Sequence, residues 1–204
     1  MFKANDPVRA VIFDMGGVLL RTHNVEPRTK LAARFGLSRQ ELEMLVFQSP
    51  SSIEAEKGLI SEEDHWLYVA DKLSLNPAEL PGFIEEYWSG DRLDENLVNY
   101  LRGLRPAIKT GLLSNAWTGA RESIARRFKF LDVFDQIIFS AEVGLRKPDK
   151  AIFDLILDRL KVPAEQAVLV DDFIVNINGA KNVGMKGIHF IAVDQTLADL
   201  KKML

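Results

Sequence analysis

Two apolar runs in this 204-residue chain end in carboxylates: Val11-Ile12-Phe13-Asp14 near the start, and Val168-Leu169-Val170-Asp171-Asp172 near the end. A run of β-branched and aromatic residues reads as a buried strand, and the C-terminal end of such a strand is where an open parallel sheet presents its chemistry. If the two strands lie side by side, three carboxylates converge on one crevice. Two unit charges about 4 Å apart repel by roughly 4 kcal/mol at an effective dielectric near 20, so the cluster calls for a cation or a captured proton. A few oxygen-only ligands suit Mg²⁺, which keeps several waters and shares its remaining positions with a phosphate.

Three further stretches bear on the same chemistry. Asp14 gives way to Met15-Gly16-Gly17, a turn whose glycines allow main-chain amides to approach an anion closely. Leu112-Leu113-Ser114-Asn115 ends another apolar run with a hydroxyl and an amide, both able to bond phosphoryl oxygens, although a turn or helix-capping role serves those residue types equally well. Gly144-Leu145-Arg146-Lys147-Pro148-Asp149 carries a lysine able to neutralise a phosphate as a compact charge. Pro148 reads as a first-turn residue of the next helix, which would fix Lys147 in place.

Those residues need a scaffold that brings strand ends together. Strand-like runs at Arg9 to Asp14, Ile108 to Ser114, Gln136 to Ser140, Ala167 to Asp171 and Gly187 to Ile191 are separated by helical patterns, the spacing of βαβ units. This predicts an α/β fold with a doubly wound parallel sheet. From about Asn24 to Gly90 the pattern is helical without a convincing strand, as in Glu62 to Leu73, and predicts a small inserted helical unit. Within it, Ser38 to Glu41 has capping-box spacing, and Ser61 to Asp64 places a cap and acidic residues at a helix start. Trp66, Tyr68, Tyr87 and Trp88 read as helix-packing aromatics.

Composition narrows the function classes. A net charge of -3 with mixed signs offers no basic footprint for nucleic acid, and the absence of cysteine excludes disulfides, thiolate metal sites and thiol nucleophiles. Met1 to Pro7 has no apolar leader, and no stretch reaches the roughly 18 apolar residues of a membrane span. A cytoplasmic location is the resulting expectation, with no nucleic-acid or membrane partner and an open oligomeric state.

In order and spacing, Phe13-Asp14-Met15-Gly16-Gly17-Val18, Leu113-Ser114-Asn115, Lys147-Pro148, and Val170-Asp171-Asp172 with Asn176 and Gly179-Ala180 resemble the haloacid dehalogenase superfamily. The resemblance implies a Rossmann-like core over residues 1–23 and 91–204 and a helical cap over 24–90. The Asp-Met-Gly-Gly start and Glu56-Lys57-Gly58-Leu59-Ile60-Ser61 look like the sugar-phosphate phosphatase branch that includes α-glucose-1-phosphate phosphatases. It further implies that Asp14 is the nucleophile, forming an aspartyl-phosphate. Ser114 and Lys147 would hold the transferring group, with Met15, Gly16 and Asn115 completing the phosphate site. Mg²⁺ would be bound by Asp14, the Gly16 carbonyl, Asp171 and Asp172. The substrate would be a small phosphomonoester, and Arg28, Arg39, Glu56, Lys57 and Trp66 are the cap candidates for selecting it.

One position departs from the family pattern. A second aspartate, the general acid toward the leaving alcohol, is usual two residues after the nucleophile, and Gly16 stands there. General acid catalysis typically contributes about 10²–10⁴-fold, so substrates with stabilised leaving groups, such as anomeric sugar or acyl phosphates, are expected. A 2-haloacid dehalogenase also lacks that aspartate, but its chemistry uses no metal, and Asp171-Asp172 argues against it. A binding scaffold that has lost turnover is the other alternative. Of His23, His65 and His189, which have no metal-ligand spacing, only His23 lies close enough after the first motif to be tested as a substitute acid.

Overall fold

The computed structural model describes residues 7–204, so the reading of Met1 to Asp6 lies outside the described residues. Among the described residues seven strands form, β1 (Ala10–Phe13), β2 (Leu20–Thr22), β3 (Asp91–Leu93), β4 (Lys109–Ser114), β5 (Gln136–Phe139), β6 (Ala167–Asp171) and β7 (Lys186–His189). Five of them make one parallel sheet in the order β5-β4-β1-β6-β7. The central strand β1 has β4 on one side and β6 on the other, so crossovers leave in both directions and a crevice opens at the strand ends around β1.

The apolar runs are continuous because both faces of this sheet are covered. Side chains alternate across a strand. Val11 and Phe13 of β1 enter one core with Val168 and Val170 of β6, while Ala10 and Ile12 enter the other with Ala167 and Leu169. The first core is closed by α6 (Glu95–Leu104), α7 (Ala120–Phe128) and α11 (Val193–Met203), through Leu97, Leu101, Ile124 and Leu200. The second is closed by α9 (Lys150–Leu160) and α10 (Ile174–Asn182), through Phe153, Ile156, Leu160 and Ile177. A short helix, α8 (Ser140–Val143), follows β5 directly.

Between β2 and β3 lie five helices, α1 (Glu26–Arg34), α2 (Arg39–Gln48), α3 (Pro50–Glu56), α4 (Glu62–Leu73) and α5 (Leu80–Trp88). They enclose their own apolar cluster, in which Trp66, Phe83 and Tyr87 are buried and Tyr68 and Trp88 pack at the edge. Both capping boxes form: Ser38 with Glu41 starts α2, and Ser61 with Asp64 starts α4. The two chain passages into and out of this unit pair as an antiparallel ribbon of β2 with β3, an element the sequence reading did not contain. His23 and Asn24 both donate main-chain hydrogen bonds to the Gly90 carbonyl, and Arg21 pairs with Asp94 across the passages.

Pro148 corrects another expectation. It lies ahead of α9, whose first residue is Lys150 and whose cap is Asp149. The Asp149 N–H donates to the Arg146 carbonyl at 2.9 Å, so Lys147 and Pro148 are the middle of a turn rather than a helix start.

Candidate active site

Parallel pairing puts Phe13 level with Leu112 on one side and Val170 on the other, so Asp14, Ser114 and Asp171 emerge together at the ends of the three middle strands. The Asp14 N–H extends the ladder by one bond, to the Val170 carbonyl at 2.9 Å. Lys147 reaches in from the turn after α8. Its Nζ lies 2.8 Å from Asp14 Oδ1 and 2.7 Å from Asp171 Oδ2, and the side chain is 1% exposed. A buried ammonium persists only where it is paired, and here it is paired twice.

Two further residues fix that lysine. Asn115 accepts from the Lys147 N–H at 2.8 Å through Oδ1 and donates to the Lys147 carbonyl at 3.0 Å through Nδ2. The amide expected to bond phosphate therefore clamps the lysine turn, leaving Ser114 as the buried hydroxyl of this strand end, with only a long 3.5 Å contact to the Asn115 carbonyl. On the other side, α10 packs against the turn at Gly179, where a β-carbon would stand 2.8 Å from the Pro148 carbonyl oxygen. Only a residue without a side chain permits that approach.

The acid pair divides its work. Asp171 is fully buried and accepts from the Phe173 N–H at 2.8 Å and from Asn176 Nδ2 at 3.0 and 3.1 Å, besides Lys147. Asp172 turns toward Gly17, and its buried Oδ1 has no hydrogen-bond partner among the described residues. Ligand atoms of Asp14, Asp171 and Asp172 all lie within 4.8 Å of one another. Burial, the largest influence, pushes Asp14 up to about 7 against the pull of Lys147, with Asp171 and Asp172 adding to the rise. Burial followed by the charge of Asp171 pushes Asp172 up to about 6. For Lys147 burial works against the charge, but Asp14 and Asp171 together outweigh it and hold the ammonium above its ordinary range.

With all three carboxylates ionised, Lys147 leaves two negative charges uncompensated. An orphaned carboxylate oxygen beside two more hard oxygen donors is the donor set of a divalent cation such as Mg²⁺, so the residues present fit that group. At Gly16 an added β-carbon would meet nothing within 4 Å, so the missing side chain leaves open room in the crevice.

The helical unit meets the sheet along a seam beside Ser114 and Lys147. Ser52 and Glu56, one turn apart on α3, bond to Trp117 Nε1 at 3.2 Å and to Arg146 at 2.7–2.8 Å. The Glu62 N–H donates to Thr118 Oγ1 at 2.8 Å, and Gly58 packs against Ala141 so closely that a β-carbon would stand 2.5 Å from its carbonyl oxygen. Burial raises Glu56 above the usual carboxylate range, against Arg146. Sequence reasoning had named Glu56 only as one of several cap candidates and did not foresee Arg146 as its partner, 90 positions away. Of the other candidates, Arg28 is buried in ion pairs with Asp91 and Glu43, Arg39 pairs with Glu43, Trp66 belongs to the helical core and Lys57 is exposed. His65 is buried in that core, bonded to Ser51 and the Val46 carbonyl, and His23 is exposed at the ribbon.

Fold and site together define an α/β enzyme of the doubly wound kind, with an acidic, lysine-bridged centre at the carboxyl edge of its sheet and a helical insertion docked beside it. A family model for haloacid dehalogenase-like hydrolases matches residues 8–184, and the chain belongs to that family. Its relatives include phosphatases. It is 26% identical over 197 residues to the sesquiterpene phosphatase astK of Aspergillus oryzae, covering 96% of both chains. It is 27% identical over 217 residues to the phosphorylated carbohydrates phosphatase of Thermotoga maritima, covering 97% of this chain and 90% of that one. Several other relatives are longer proteins, of which the chain covers at most 36%. The fold matches a haloacid dehalogenase family enzyme of Bacteroides thetaiotaomicron solved with magnesium and inorganic phosphate, with TM-score 0.74, 19% identity, and coverage of 91% of this chain and 95% of that one. No helix among the described residues is long and apolar enough to cross a membrane.

Proposed function

We propose that the chain is a Mg²⁺-dependent phosphatase that hydrolyses a small phosphomonoester through an aspartyl-phosphate on Asp14. The observation that carries this reading is Lys147, buried between Asp14 and Asp171, beside the unpartnered oxygen of Asp172. Lys147 pins Oδ1 of Asp14, which leaves Oδ2 as the attacking atom. That oxygen bonds to phosphorus in line as the bond to the leaving oxygen breaks, and the departing oxygen takes its proton from solvent, Gly16 offering none. Water then attacks phosphorus, releasing inorganic phosphate and restoring Asp14. Ser114, the main-chain amides of Met15 and Gly16, and Lys147 bind the phosphoryl oxygens, while Asn115 positions Lys147. Mg²⁺, held by Asp14, the Gly16 carbonyl, Asp171 and Asp172, would supply the positive charge that keeps these acids ionised and draws the phosphate in.

The sequence resemblance implies a sugar phosphate, and the likeness to the Thermotoga enzyme agrees with that class, while the likeness to astK points to a terpene phosphate. The phosphoryl chemistry is common to both. Asp171-Asp172 disfavours the dehalogenase alternative, since a metal-free site gains nothing from a repelling acid pair. The test is phosphate release from a panel of sugar, acyl, aryl and prenyl phosphates, with Mg²⁺ and with EDTA, by wild type and Asp14→Asn. Release requiring both Mg²⁺ and Asp14 is expected. Release that survives Asp14→Asn would reject the mechanism, and ligand-induced stabilisation without any release would favour the binding scaffold.

A further inference from the structure

Trp117 follows Ser114 by three residues and so belongs by chain to the sheet, yet it is buried in the apolar cluster of the helical unit. Its ring centroid lies 4.4 Å from that of His65, 5.6 Å from Trp66, 6.0 Å from Phe47 and 6.3 Å from Trp88. Its Nε1 donates to Ser52 Oγ at 3.2 Å. The sheet thus completes the core of the insertion with one of its own side chains. The main chain between Trp117 and the phosphate site carries no slack. Ser140 Oγ accepts from the Ala116 N–H at 2.9 Å and donates to the Ala116 carbonyl at 3.1 Å. Asn115 clamps the Lys147 turn through both ends of its amide, and Thr118 Oγ1 accepts from the Glu62 N–H. Among the described residues Ser114 Oγ, by contrast, has only its long 3.5 Å contact to the Asn115 carbonyl, so its aim is set by the main chain around it.

We propose that Trp117 is a positioning residue for phosphoryl transfer. Seated in the helical unit, it fixes the strand end that carries Ser114 and Asn115, and through Asn115 the turn that carries Lys147. The phosphate-binding side chains thus take their geometry from the docked helical unit. This rests on the phosphatase reading above and adds to that site a residue that acts only through others. A side chain that merely filled the helical core would have no such effect. Phe83 is that case: it is 2% exposed in the same cluster, and its ring partners Phe35, Trp66 and Tyr87 all belong to the helical unit.

The test is calorimetric titration of inorganic phosphate into the protein in Mg²⁺, because calorimetry separates the dissociation constant from the number of competent sites. It compares wild type with Trp117→Leu, Trp117→Phe, Ser52→Ala and the control Phe83→Leu, each checked for a cooperative thermal transition. Trp117→Leu should weaken phosphate binding by about tenfold, as when one hydrogen bond to a charged group is lost. Trp117→Phe keeps an aromatic ring in the pocket and should recover most of that affinity. Ser52→Ala reaches the strand end only through Trp117 and should raise the dissociation constant about two- to threefold. It carries the test if Trp117→Leu does not fold. Phe83→Leu should lower the melting temperature and leave the dissociation constant unchanged. An unchanged dissociation constant in the Trp117 and Ser52 variants, with loss only of competent sites, would overturn the proposal and spare the phosphate site. An equal weakening in Phe83→Leu would also overturn it, since any damage to the helical core would then suffice. No phosphate binding by wild type would overturn the phosphatase reading and this proposal with it.

Discussion

The carboxylate of Asp172 stands where a side chain on Gly17 would point: a β-carbon there would lie 2.2 Å from Asp172 Oδ2. Gly17 also holds φ +76, in the left-handed region. The first and last motifs of the chain, 155 positions apart, are thus fitted to each other through one missing methyl group.

Gly17→Ala should disturb both partners. The left-handed backbone alone costs a side-chain-bearing residue roughly 1–2 kcal/mol, and relief of the clash displaces Asp172. A lowered melting temperature is expected, together with loss of the rise that Mg²⁺ gives wild type. An unchanged Mg²⁺ effect in a folded variant would show that Asp172 is not a ligand.

Gly16→Asp is the opposite case, since nothing lies within 4 Å of the new β-carbon. It should restore a proton donor to the leaving oxygen. Rates on esters of ordinary alcohols should rise by about 10²-fold, within the usual range for general acid catalysis, and aryl phosphates should change little. A plot of log kcat/KM against leaving-group pKa reads this directly as a shallower slope.

The five core strands were legible because both faces of the sheet are buried, so β1 and β6 spell themselves as unbroken apolar runs, whereas their order across the sheet was not read from the sequence. The caps at Ser38 and Ser61 were legible because their partners sit three residues on. The β2 and β3 ribbon was not, since Leu20-Arg21-Thr22 and Asp91-Arg92-Leu93 are too short and too charged to show a period of two. Asn115 was recognised as a site residue, but its amide faces Lys147 through a contact 32 positions away, which no local pattern encodes. The pairing of Glu56 with Arg146 was hidden for the same reason.

The metal-free protein should lose stability as pH rises. Asp14, at about 7, and Asp172, at about 6, hold protons in the folded state more tightly than in the unfolded state, where 3.8 applies. Between about pH 4 and 7 the native form therefore binds more protons, and linkage makes its stability fall across that window, by a few kcal/mol in order of magnitude. Mg²⁺ competes with those protons, so its stabilising effect should grow from pH 5.5 to 7.5. Melting curves with EDTA and with Mg²⁺ at the two pH values measure both trends.

Glu56→Gln should loosen the seam. The pair it breaks has side chains 12% and 25% exposed, and loss of one charge leaves Arg146 without its partner; a cost of about 1–2 kcal/mol follows after allowance for solvent. Because Arg146 precedes Lys147, KM for phosphate esters should rise several-fold, with Glu56→Ala worse than Glu56→Gln. Steady-state kinetics on both variants distinguish this from a purely structural loss, which would lower active fraction at constant KM.

The central claim is that Asp14 carries the phosphoryl group, and the direct measurement is peptide mass analysis of enzyme quenched with acid during turnover of an aryl phosphate in Mg²⁺. Phosphoryl mass on the peptide containing Asp14, absent in EDTA and chased away when substrate is exhausted, is the predicted result. Sustained turnover with no phosphoryl mass on that peptide, or with the mass on another residue, would contradict it.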